Sequence, residues 1–257
     1  MAFEGKVVLI TGASSGIGEE TAVQFAAQGA RVALIGRNQV GLTKTLNLCK
    51  KPTSEYSHLI IVADVTKEED AKKIINSTIV HFGKLDILVN NAGIMDYGSI
   101  ETTSLDQYDQ VMNTNLRSVY QLTMLAVPHL IKTKGNIVNV SSCAGIRSFP
   151  NILAYCTSKA ALDQLTRCVA LELGSMQVRV NSVNPGIIMT DLHKRSGMDD
   201  KAVDSLMERC KHTHALGRAG RPSEVTAGIL FLASDKAAFM TGAILPMGGG
   251  REIMCPR

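Results

Sequence analysis

A tyrosine and a lysine spaced four positions apart form the pattern in this sequence that most directly suggests chemistry. Tyr155 and Lys159 share one face of a helix if the surrounding segment is helical, because positions i and i+4 are neighbours on a helix surface. A phenol with a pKa of about 10 is a weak base at neutral pH, and a nearby ammonium group stabilises its anion. The spacing alone also fits a core tyrosine beside a surface lysine, so the chemical interpretation depends on what lies around the pair.

Two polar residues elsewhere in the chain could complete such a site. Ser142 ends a predicted strand, where its hydroxyl could hold a substrate oxygen beside Tyr155. Asn115 lies inside a long predicted helix, although asparagine has poor helix propensity. Its side chain therefore needs a polar partner, and a water-mediated link to Lys159 would supply one.

A glycine-rich segment follows the first predicted strand and precedes a predicted helix. It reads TGASSGIG over residues 11–18, with the spacing GxxxGxG rather than the more familiar GxGxxG. Glycines allow a tight turn and let backbone amides approach a pyrophosphate, while the helix N-terminus offers free N–H groups and a positive dipole end. We therefore expect a dinucleotide-binding loop formed by Gly12, Ser14, Ser15, Gly16, Ile17 and Gly18.

The end of the second predicted strand bears on which dinucleotide binds. An acidic residue there would accept hydrogen bonds from the adenosine ribose of NAD, but the sequence reads IGRN over residues 35–38. Arg37 could pair bidentately with the 2′-phosphate of NADP. An ordinary surface arginine after a strand is the alternative, and we favour NADP(H) as the cofactor.

The ends of the third and fourth predicted strands fit the same ligand. Asp64 and Val65 follow the third strand, where a carboxylate can accept a hydrogen bond from the adenine amino group. The fourth strand ends at Asn90, and ligands of open α/β sheets bind at this carboxyl edge. A plain turn is the alternative for this segment. The cofactor contacts expected after the fourth strand are Asn91, Ala92 and Gly93.

A nicotinamide cofactor would complete the chemistry of the tyrosine–lysine pair. Its oxidised ring is cationic, so it would add to Lys159 in favouring the phenolate. In reduction, Tyr155 would give its proton to a carbonyl oxygen as hydride reaches the carbon. The sequence thus predicts an oxidoreductase that acts on a carbonyl/alcohol pair.

The elements that must position these residues alternate between short apolar runs and longer helical segments. The runs are rich in Val, Ile and Leu, as strands buried on both faces are, and the alternation predicts right-handed βαβ crossovers and a parallel sheet. No linker or repeat divides the 257 residues, so we expect a single α/β domain over 1–257. The predicted strands are residues 7–10, 31–35, 59–62, 87–90, 136–140, 179–183 and 243–245. The predicted helices include residues 16–28, 67–82, 105–131, 154–173 and 223–233.

One stretch departs from this alternation. Residues 187–221 are polar and contain one plausible short helix near 201–210. A long irregular excursion in a compact domain suggests a functional lid. The three histidines in this stretch, His193, His212 and His214, are expected to have surface or lid-packing roles rather than a chemical one.

Composition and charge argue against several other classes of protein. Hydrophobic residues make up 45% and charged residues 19% of the chain, which allows a sizeable core. The net charge of +4 is spread along the chain, so solvated surface is expected rather than nucleic-acid binding. The six cysteines lack metal-ligand spacing, and Cys143 and Cys156 are expected to be buried, reduced thiols. The sequence shows no signal peptide or membrane-spanning run, and Cys255 lies one place too late for a prenylation box, so we expect a cytoplasmic protein without a metal.

Taken in order along the chain, these residues resemble the short-chain dehydrogenase/reductase family. The resemblance covers nearly the whole chain and rests on the TGxxxGxG and YxxxK motifs and on their separations, since Ser142 lies 13 positions before Tyr155 and Asn115 lies 27 before Ser142. The other residues that match are Asp64, Asn90, Asn91, Ala92, Gly93, Asn184, Pro185, Gly186 and Thr190. The ordered set is far more specific than any one of its motifs.

The resemblance implies a doubly wound Rossmann fold, with a seven-stranded parallel sheet in the order 3-2-1-4-5-6-7 and helices on both faces. It implies a catalytic tetrad of Asn115, Ser142, Tyr155 and Lys159, in which Tyr155 and Lys159 also contact the cofactor and Lys159 holds the nicotinamide ribose. The residues implied at the nicotinamide end are Pro185, Gly186, Ile188 and Thr190.

The resemblance also implies a homotetramer. One interface would involve the helices around residues 105–131 and 154–173, and another the last helix and strand. Family members often carry Val-Asp-Gly-Gly near the end, whereas residues 246–250 read PMGGG. The missing aspartate bears on the details of the last interface and not on the fold.

The substrate pocket is expected between the end of the fourth strand, residues 143–150 and the lid. Arg147 could meet an anion there, but a loop arginine that faces water is the stronger expectation. An apolar lining favours a bulky ketone, such as a steroid or terpenoid, over a small sugar. The side chains expected to form this apolar wall are Met95, Ile146, Phe149, Ile188, Met189 and Leu192.

The leading hypothesis is an NADP(H)-dependent oxidoreductase that reduces a ketone or aldehyde to an alcohol, or the reverse, on a lipophilic small molecule such as a steroid. The alternative enzyme is a 3-oxoacyl-carrier-protein or 3-oxoacyl-CoA reductase, which would need basic residues at the mouth of the cleft. A non-catalytic NADP-sensing protein is disfavoured because the tetrad is complete. A scaffold whose tetramer matters more than its site is a further alternative, which a functional Tyr155→Phe variant would support.

Overall fold

Seven parallel strands form the centre of the molecule. The structure, a computed structural model, describes residues 2–50 and 57–254. Within them the strand order is β3-β2-β1-β4-β5-β6-β7, which confirms the predicted order and the doubly wound α/β fold. The strands are β1 (Val7–Thr11), β2 (Arg31–Gly36), β3 (Leu59–Val62), β4 (Ile87–Asn90), β5 (Asn136–Val140), β6 (Arg179–Pro185) and β7 (Ile244–Met247).

Helices connect the strands and lie on both faces of the sheet. Several begin at side chains suited to capping. The Ser104 hydroxyl accepts from the Gln107 backbone N–H in a capping box, and the side chains of Asn38 and Asp199 accept from the backbone N–H groups of Gly41 and Ala202. The α-helices are α1 (Gly16–Ala27), α2 (Gln39–Leu48), α3 (Glu68–Phe82), α4 (Leu105–Met112), α5 (Ser118–Thr133), α6 (Cys143–Ile146), α7 (Leu153–Leu173), α8 (Leu192–Arg195), α9 (Asp200–Thr213) and α10 (Pro222–Ala233).

The long helix predicted over residues 105–131 contains an interruption. A π-helical turn, Asn113–Arg117, separates α4 from α5, and α5 continues to Thr133. The turn carries Asn115, the residue whose poor helix propensity stood out in the sequence. Single π-turns within α-helices are frequent at functional sites.

The core consists of two main apolar clusters, one on each face of the sheet. The first packs Phe25 of α1 and Ile229 of α10 against β1 and β2. The second packs Ile74 of α3 and Leu130 of α5 against the other face. Truncating a fully buried leucine of this kind to alanine costs about 2–5 kcal/mol of folding stability, so these clusters hold the strand ends in place.

The predicted lid, residues 187–221, has more structure than its sequence suggested. It contains α8 and α9, and α9 is longer than the short helix predicted over 201–210. The Gly220 backbone N–H donates to the Ile187 carbonyl at 2.8 Å, which closes the base of the segment. Leu206 and Cys210 of α9 form a small separate apolar cluster with Ile187 and Ala219.

The described residues hold neither a helix long and apolar enough to cross a membrane nor a group of three or more His, Cys, Asp and Glu side chains that could hold a metal ion. The five described cysteines are free thiols. Cys143 is buried, and burial raises the pKa of its thiol to about 11. Cys156 is half-buried rather than buried as expected. Cys255 lies outside the described residues.

Candidate active site

A groove of about 710 Å³ runs along the carboxyl edge of the sheet and brings most of the predicted site residues together. The predicted residues that line it are Gly12, Ser14, Ser15, Gly16, Ile17, Arg37, Asp64, Val65, Asn91, Ala92, Gly93, Ser142, Tyr155, Lys159, Pro185, Gly186, Ile188 and Thr190. Gly18 and Asn115 are predicted site residues that do not line the groove. Both are buried behind the wall of the groove, where they contact residues that line it.

The glycine loop between β1 and α1 depends on two different properties of glycine. Gly12 and Gly16 have φ angles of 66° and 59°, in the left-handed region that side chains rarely adopt. Gly18 is required for space, because a Cβ there would lie 2.3 Å from the Gly12 carbonyl oxygen and 2.5 Å from Asn91 Nδ2. Gly18 therefore supports the tight turn from behind the groove wall.

Hydrogen bonds join the ends of β1 and β4 beneath this loop. The Thr11 hydroxyl oxygen accepts from the backbone N–H groups of Asn91 and Ala92, both at 2.9 Å. The Asn91 side-chain amide donates back to the Thr11 carbonyl oxygen at 2.9 Å. These bonds set the distance between the glycine loop and the Asn-Ala-Gly segment, the two backbone walls of the groove.

Arg37 and Asp64 face each other at the rim of the groove. Arg37 Nη1 lies 3.9 Å from Asp64 Oδ2, and 73% of the Arg37 side chain is exposed. Partial burial alone would raise the pKa of Asp64, but hydrogen bonds from the backbone and hydroxyl of Thr66, together with the charges of Arg37 and Lys67, hold it below its ordinary value. The rim therefore presents an ionised carboxylate and an exposed guanidinium.

These features fit the adenosine and pyrophosphate portions of a dinucleotide. The N-terminus of α1 points at the groove, and its Ser15 N-cap makes no side-chain capping bond, so the first backbone N–H groups are available to phosphate oxygens. Gly12 and Gly16 of the glycine loop line the groove and present no side chain of their own to a ligand. A nicotinamide dinucleotide would thus be held by the loop at its phosphates and would extend along the groove towards Lys159.

Tyr155 lies near the start of α7, and Ser142 lies just after β5. The Ser142 hydroxyl oxygen caps α6 by accepting from the Ala144 backbone N–H at 3.1 Å. Burial raises the pKa of the Tyr155 phenol above its ordinary value, and a hydrogen bond with Ser142 opposes this shift. Tyr155 therefore holds its proton at neutral pH, because burial adds to the preference of an ordinary phenol for its neutral form.

Lys159 is buried one turn further along α7. Its ammonium group lies 5.7 Å from the centre of the Tyr155 ring and donates to the Val140 carbonyl oxygen at 2.9 Å. Burial lowers the pKa of Lys159 to about 8, and the charge of Asp163 opposes this shift. The Asp163 carboxylate is itself held by the Asn184 side-chain amide at 2.8 Å. Lys159 is therefore a cation close to its titration point, placed between the tyrosine and the end of β5.

Asn115 clamps the segment that follows β4. Its side-chain amide donates to the Ile94 carbonyl oxygen at 2.9 Å and to the Ser158 hydroxyl at 3.1 Å, and its carbonyl oxygen accepts from the Ile94 N–H at 2.9 Å. These direct partners supply the polar contacts that the sequence predicted for a buried asparagine. A Cβ at Gly93 would lie 3.3 Å from Asn115 Oδ1 and 3.6 Å from Lys159 Nζ, so the missing side chain leaves the two residues close together.

The apolar wall of the substrate end is partly as predicted. Met95, Phe149, Ile188 and Leu192 line the groove, whereas Ile146 and Met189 are exposed and do not. Arg147 does not face water as expected, because its guanidinium donates to the Met254 carbonyl oxygen and ties down the C-terminal segment.

The lid histidines divide into two groups. His193 and His214 are buried, and His214 Nε2 accepts from the Ile187 backbone N–H at 3.2 Å, which agrees with a packing role. His193 also lines the groove, and its Nδ1 lies 3.4 Å from the Tyr97 hydroxyl. His212 is exposed at the end of α9.

Several groove residues escaped the sequence analysis. They come from four separate segments and have no motif spacing in common; they are Tyr97, Ile152, Arg195, Met198, Leu206, Arg209, Thr213 and Arg251. The concentration of polar and basic residues in the lid could have indicated that this segment contributes to the groove. It does not indicate which of its side chains turn inward.

Comparisons with known proteins agree with this geometry. A family model described as Enoyl-(Acyl carrier protein) reductase matches residues 12–252. The chain is 38% identical over 250 residues to meso-2,3-butanediol dehydrogenase of Serratia marcescens, covering 97% of this chain and 96% of that protein. It is 37% identical over 257 residues to the 3-oxoacyl-[acyl-carrier-protein] reductase of Thermotoga maritima, covering 98% and 100%.

Among solved structures, a short-chain dehydrogenase/reductase of unknown function from Caenorhabditis elegans, crystallised with cofactor, superimposes with a TM-score of 0.93. It is 40% identical, and the match covers 99% of this chain and 98% of that one. The resemblance noted in the sequence is thereby confirmed. The chain belongs to the short-chain dehydrogenase/reductase family and is an alcohol/ketone oxidoreductase that uses a nicotinamide cofactor.

Proposed function

We propose that this protein uses NADPH to reduce a ketone or aldehyde to an alcohol, or runs the reverse reaction, and that Asn115, Ser142, Tyr155 and Lys159 are its catalytic machinery. The observation that carries this proposal is that Ser142, Tyr155 and Lys159 line the same groove as the glycine loop. A proton donor and a hydride source can then reach one carbonyl group from two sides.

In this reaction, Ser142 and Tyr155 bind the carbonyl oxygen and Tyr155 transfers its phenolic proton to that oxygen. When bound, a nicotinamide cofactor would supply the hydride that the carbonyl carbon receives, so that carbonyl, hydride and proton together would give the alcohol. Because the Tyr155 phenol, whose pKa burial raises further, is protonated at neutral pH, the resting site suits reduction. Lys159, close to the end of β5, would bind the nicotinamide ribose and favour the phenolate that remains.

Asn115 has a positioning role in this proposal. It lies too deep to touch the substrate, and its three hydrogen bonds hold Ile94 and Ser158 in place. Ile94 directly follows Gly93 on the cofactor wall, and Ser158 directly precedes Lys159. Asn115 therefore couples the position of the cofactor wall to the position of the lysine.

The choice of NADP(H) over NAD(H) rests on Arg37. Its side chain is largely exposed, and at 3.9 Å its pairing with Asp64 is loose, so the guanidinium can turn to a 2′-phosphate. The cofactor contacts we propose are the groove-lining residues of the glycine loop, Arg37, Asp64, Val65, the Asn91–Gly93 segment, Tyr155, Lys159, and Pro185, Gly186, Ile188 and Thr190.

We propose a substrate with an apolar body, such as a steroid ketone. Met95, Phe149, Ile152 and Leu192 supply apolar surface at the far end of the groove from the glycine loop. The chain over 1–257 would act as one domain, with residues 187–221 as a lid that covers this surface. The base of the lid is closed by the backbone bonds between Ile187 and Gly220, so movement would be confined to α8 and α9.

A second candidate function is reduction of a 3-oxoacyl thioester. Arg195 and Arg209 are exposed lid residues that line the groove, which are the basic residues that a phosphopantetheine carrier would need at the mouth. The 3-oxoacyl-[acyl-carrier-protein] reductase of Thermotoga maritima shares 37% identity with this chain. Turnover of a short 3-oxoacyl thioester, together with no turnover of steroid ketones, would make thioester reduction the preferred function.

We expect Tyr155→Phe to lower kcat for carbonyl reduction by about 10²- to 10⁴-fold, because the proton donor is lost. The measurement is NADPH consumption against steroid, acyl-thioester, retinoid and quinone carbonyls. NADPH binding, followed by its fluorescence, should persist in the variant and would show that the fold is intact. Undiminished turnover by Tyr155→Phe would contradict the mechanism, and turnover of no carbonyl by the wild-type protein would favour the NADP-sensing or scaffold alternatives.

We also propose that the protein is a homotetramer in the cytoplasm. Large apolar side chains are exposed on α5, α7 and the segment after α10, including Tyr120, Met124, Leu171 and Phe239. Exposed apolar patches of this kind favour protein–protein interfaces. The free thiols among the described cysteines suit a reducing compartment. Analytical ultracentrifugation of the purified protein tests the tetramer, and microscopy of the tagged protein tests the location.

A further inference from the structure

A half-buried arginine from the C-terminal segment lies at the substrate end of the groove. The Arg251 guanidinium stacks on the Phe149 ring at 4.6 Å from its centre, and Arg251 Nη1 donates to the Thr213 hydroxyl at 2.9 Å. All three residues line the groove. The segment is itself held, because Arg147 donates to the Met254 carbonyl oxygen and the Arg251 N–H donates to the Gly248 carbonyl at 3.1 Å. The guanidinium is therefore positioned before any ligand arrives.

Arg251 has no carboxylate within ion-pair distance in the part of the chain that the structure describes. The nearby lid histidines add no positive charge to the site at neutral pH, since burial and then the charge of Arg251 lower the pKa values of both His193 and His214. Arg195 and Arg209, on the outer part of the same groove, add positive charge and are likewise without an ion pair among the described residues.

We propose that Arg251, stacked on Phe149 and hydrogen-bonded to Thr213, is a carboxylate-binding subsite, and that the substrate is a carbonyl compound that carries its own carboxylate on an apolar body. This inference rests on the proposed reductase function. An arginine has five N–H donors in a planar fork, and the bond to Thr213 leaves enough of them for a bidentate carboxylate. The apolar side chains between Ser142 and Arg251 would hold the body of the molecule.

A monoanion suits this subsite better than a dianion. The subsite offers one half-buried guanidinium, and the adjacent His193 is held neutral, so the second charge of a phosphate would be left without a partner. Arg195 and Arg209 are exposed and lie on the lid, where solvent weakens their pull on an anion. A substrate carboxylate would therefore bind at Arg251, and the phosphate of a carrier would bind at Arg195 and Arg209.

The test compares acids with their neutral esters on the full-length enzyme with NADPH. The substrates are levulinate, para-acetylbenzoate and straight-chain oxo acids of increasing length, each paired with its methyl ester. For the best-fitting member, the wild-type kcat/KM should favour the acid by about 10- to 100-fold, the range expected for hydrogen bonds to a charged group. Arg251→Gln should lower this acid/ester ratio by the same factor. Arg251→Lys should restore part of the ratio, because it keeps the charge without the fork.

Arg167→Gln is the matched control, because Arg167 is an exposed arginine that does not line the groove. It should leave the acid/ester ratio unchanged. Equal turnover of acid and ester by the wild-type enzyme would overturn the subsite. So would an equal loss on both substrates in Arg251→Gln, or a loss of the ratio confined to Arg195→Gln and Arg209→Gln. Failure of the reductase function itself is distinguishable, because the wild-type enzyme would then oxidise NADPH with no member of any pair and with none of the steroid, acyl-thioester, retinoid and quinone carbonyls, whereas turnover of those carbonyls alone would overturn only the subsite.

Discussion

The two ends of the groove are built in different ways. At the cofactor end, the walls are backbone segments that follow strands β1 and β4, joined by the bonds between Thr11 and the Asn91–Ala92 segment. At the substrate end, the walls are side chains contributed by α7, the lid and the C-terminal segment. Few groove contacts at the cofactor end require a long side chain, whereas nearly all of those at the substrate end do.

This difference explains which substitutions each end can tolerate. At the cofactor end the limit is space, since a single added carbon at Gly18 would approach a carbonyl oxygen to 2.3 Å. At the substrate end the limit is charge and packing, as in the stack of Arg251 on Phe149. The cofactor end is therefore suited to one ligand, and the substrate end can change its ligand by changing a few side chains.

The largest effect expected from this comparison is at Gly18. Because the Gly12 carbonyl must move to admit a Cβ, Gly18→Ala should raise the Kd for NADPH by about 100-fold and lower the folding stability by about 1–3 kcal/mol. Fluorescence titration with NADPH and thermal unfolding measure the two quantities. Gly174→Ala is the control, since no atom lies within 4 Å of the added carbon and its φ of −59° suits alanine. Wild-type NADPH affinity in Gly18→Ala would show that the loop is not limited by space.

A smaller effect is expected at Arg37, at the outer rim of the same end. Arg37→Asp should reduce the NADPH/NADH preference in kcat/KM by about 10-fold, a modest factor because the side chain is 73% exposed and screened by water. Steady-state kinetics with both cofactors measure it, and Arg167→Asp gives the same charge reversal away from the groove. An unchanged preference would mean that the 2′-phosphate is bound elsewhere or that NAD(H) is the cofactor.

The effect that is smallest at neutral pH, where His214 is unprotonated in the folded protein, comes from titration of His214 at the substrate end. Burial, followed by the charge of Arg251, lowers the pKa of His214 to about 4. The unfolded chain, with an ordinary pKa of about 6.5, binds a proton between pH 6.5 and 4 that the folded protein does not. Stability should therefore fall as the pH drops through this window, by up to about 1.4 kcal/mol per pH unit, and should fall no further on this account below pH 4.

Thermal unfolding between pH 7.5 and 4.5 tests this prediction. His214→Gln should flatten the pH dependence, because its side-chain oxygen can still accept from the Ile187 N–H but does not titrate in this range. His212→Gln, at an exposed position nearby in the lid, is the matched control. Hydrogen exchange should show that the Ile187 amide loses protection before the strands do. Identical pH profiles for the wild-type and His214→Gln proteins would rule out His214 as the cause.

The sequence by itself determined the fold and the cofactor end. The alternation of apolar strands and helices predicts the parallel sheet, and parallel strands must bring their carboxyl ends to one edge. The glycine loop, Asn91–Gly93 and Ser142 were therefore predictable, since each follows a strand. Tyr155 and Lys159 were predictable from their i, i+4 spacing and from the separation between Ser142 and Tyr155. Gly18 and Asn115 were identified as important, but their roles behind the groove wall depend on contacts that no spacing specifies.

Only the tertiary structure decided the substrate end. Phe149, Thr213 and Arg251 lie far apart in the chain, and they meet because the lid and the C-terminal segment fold back over α7. Side-chain direction in such irregular segments follows from packing and not from a repeating period. The local sequence therefore does not distinguish an arginine that turns into the groove from one that faces water. For this physical reason Arg147, expected to face water, ties down the tail, while Arg251, which no sequence pattern singled out, lines the groove.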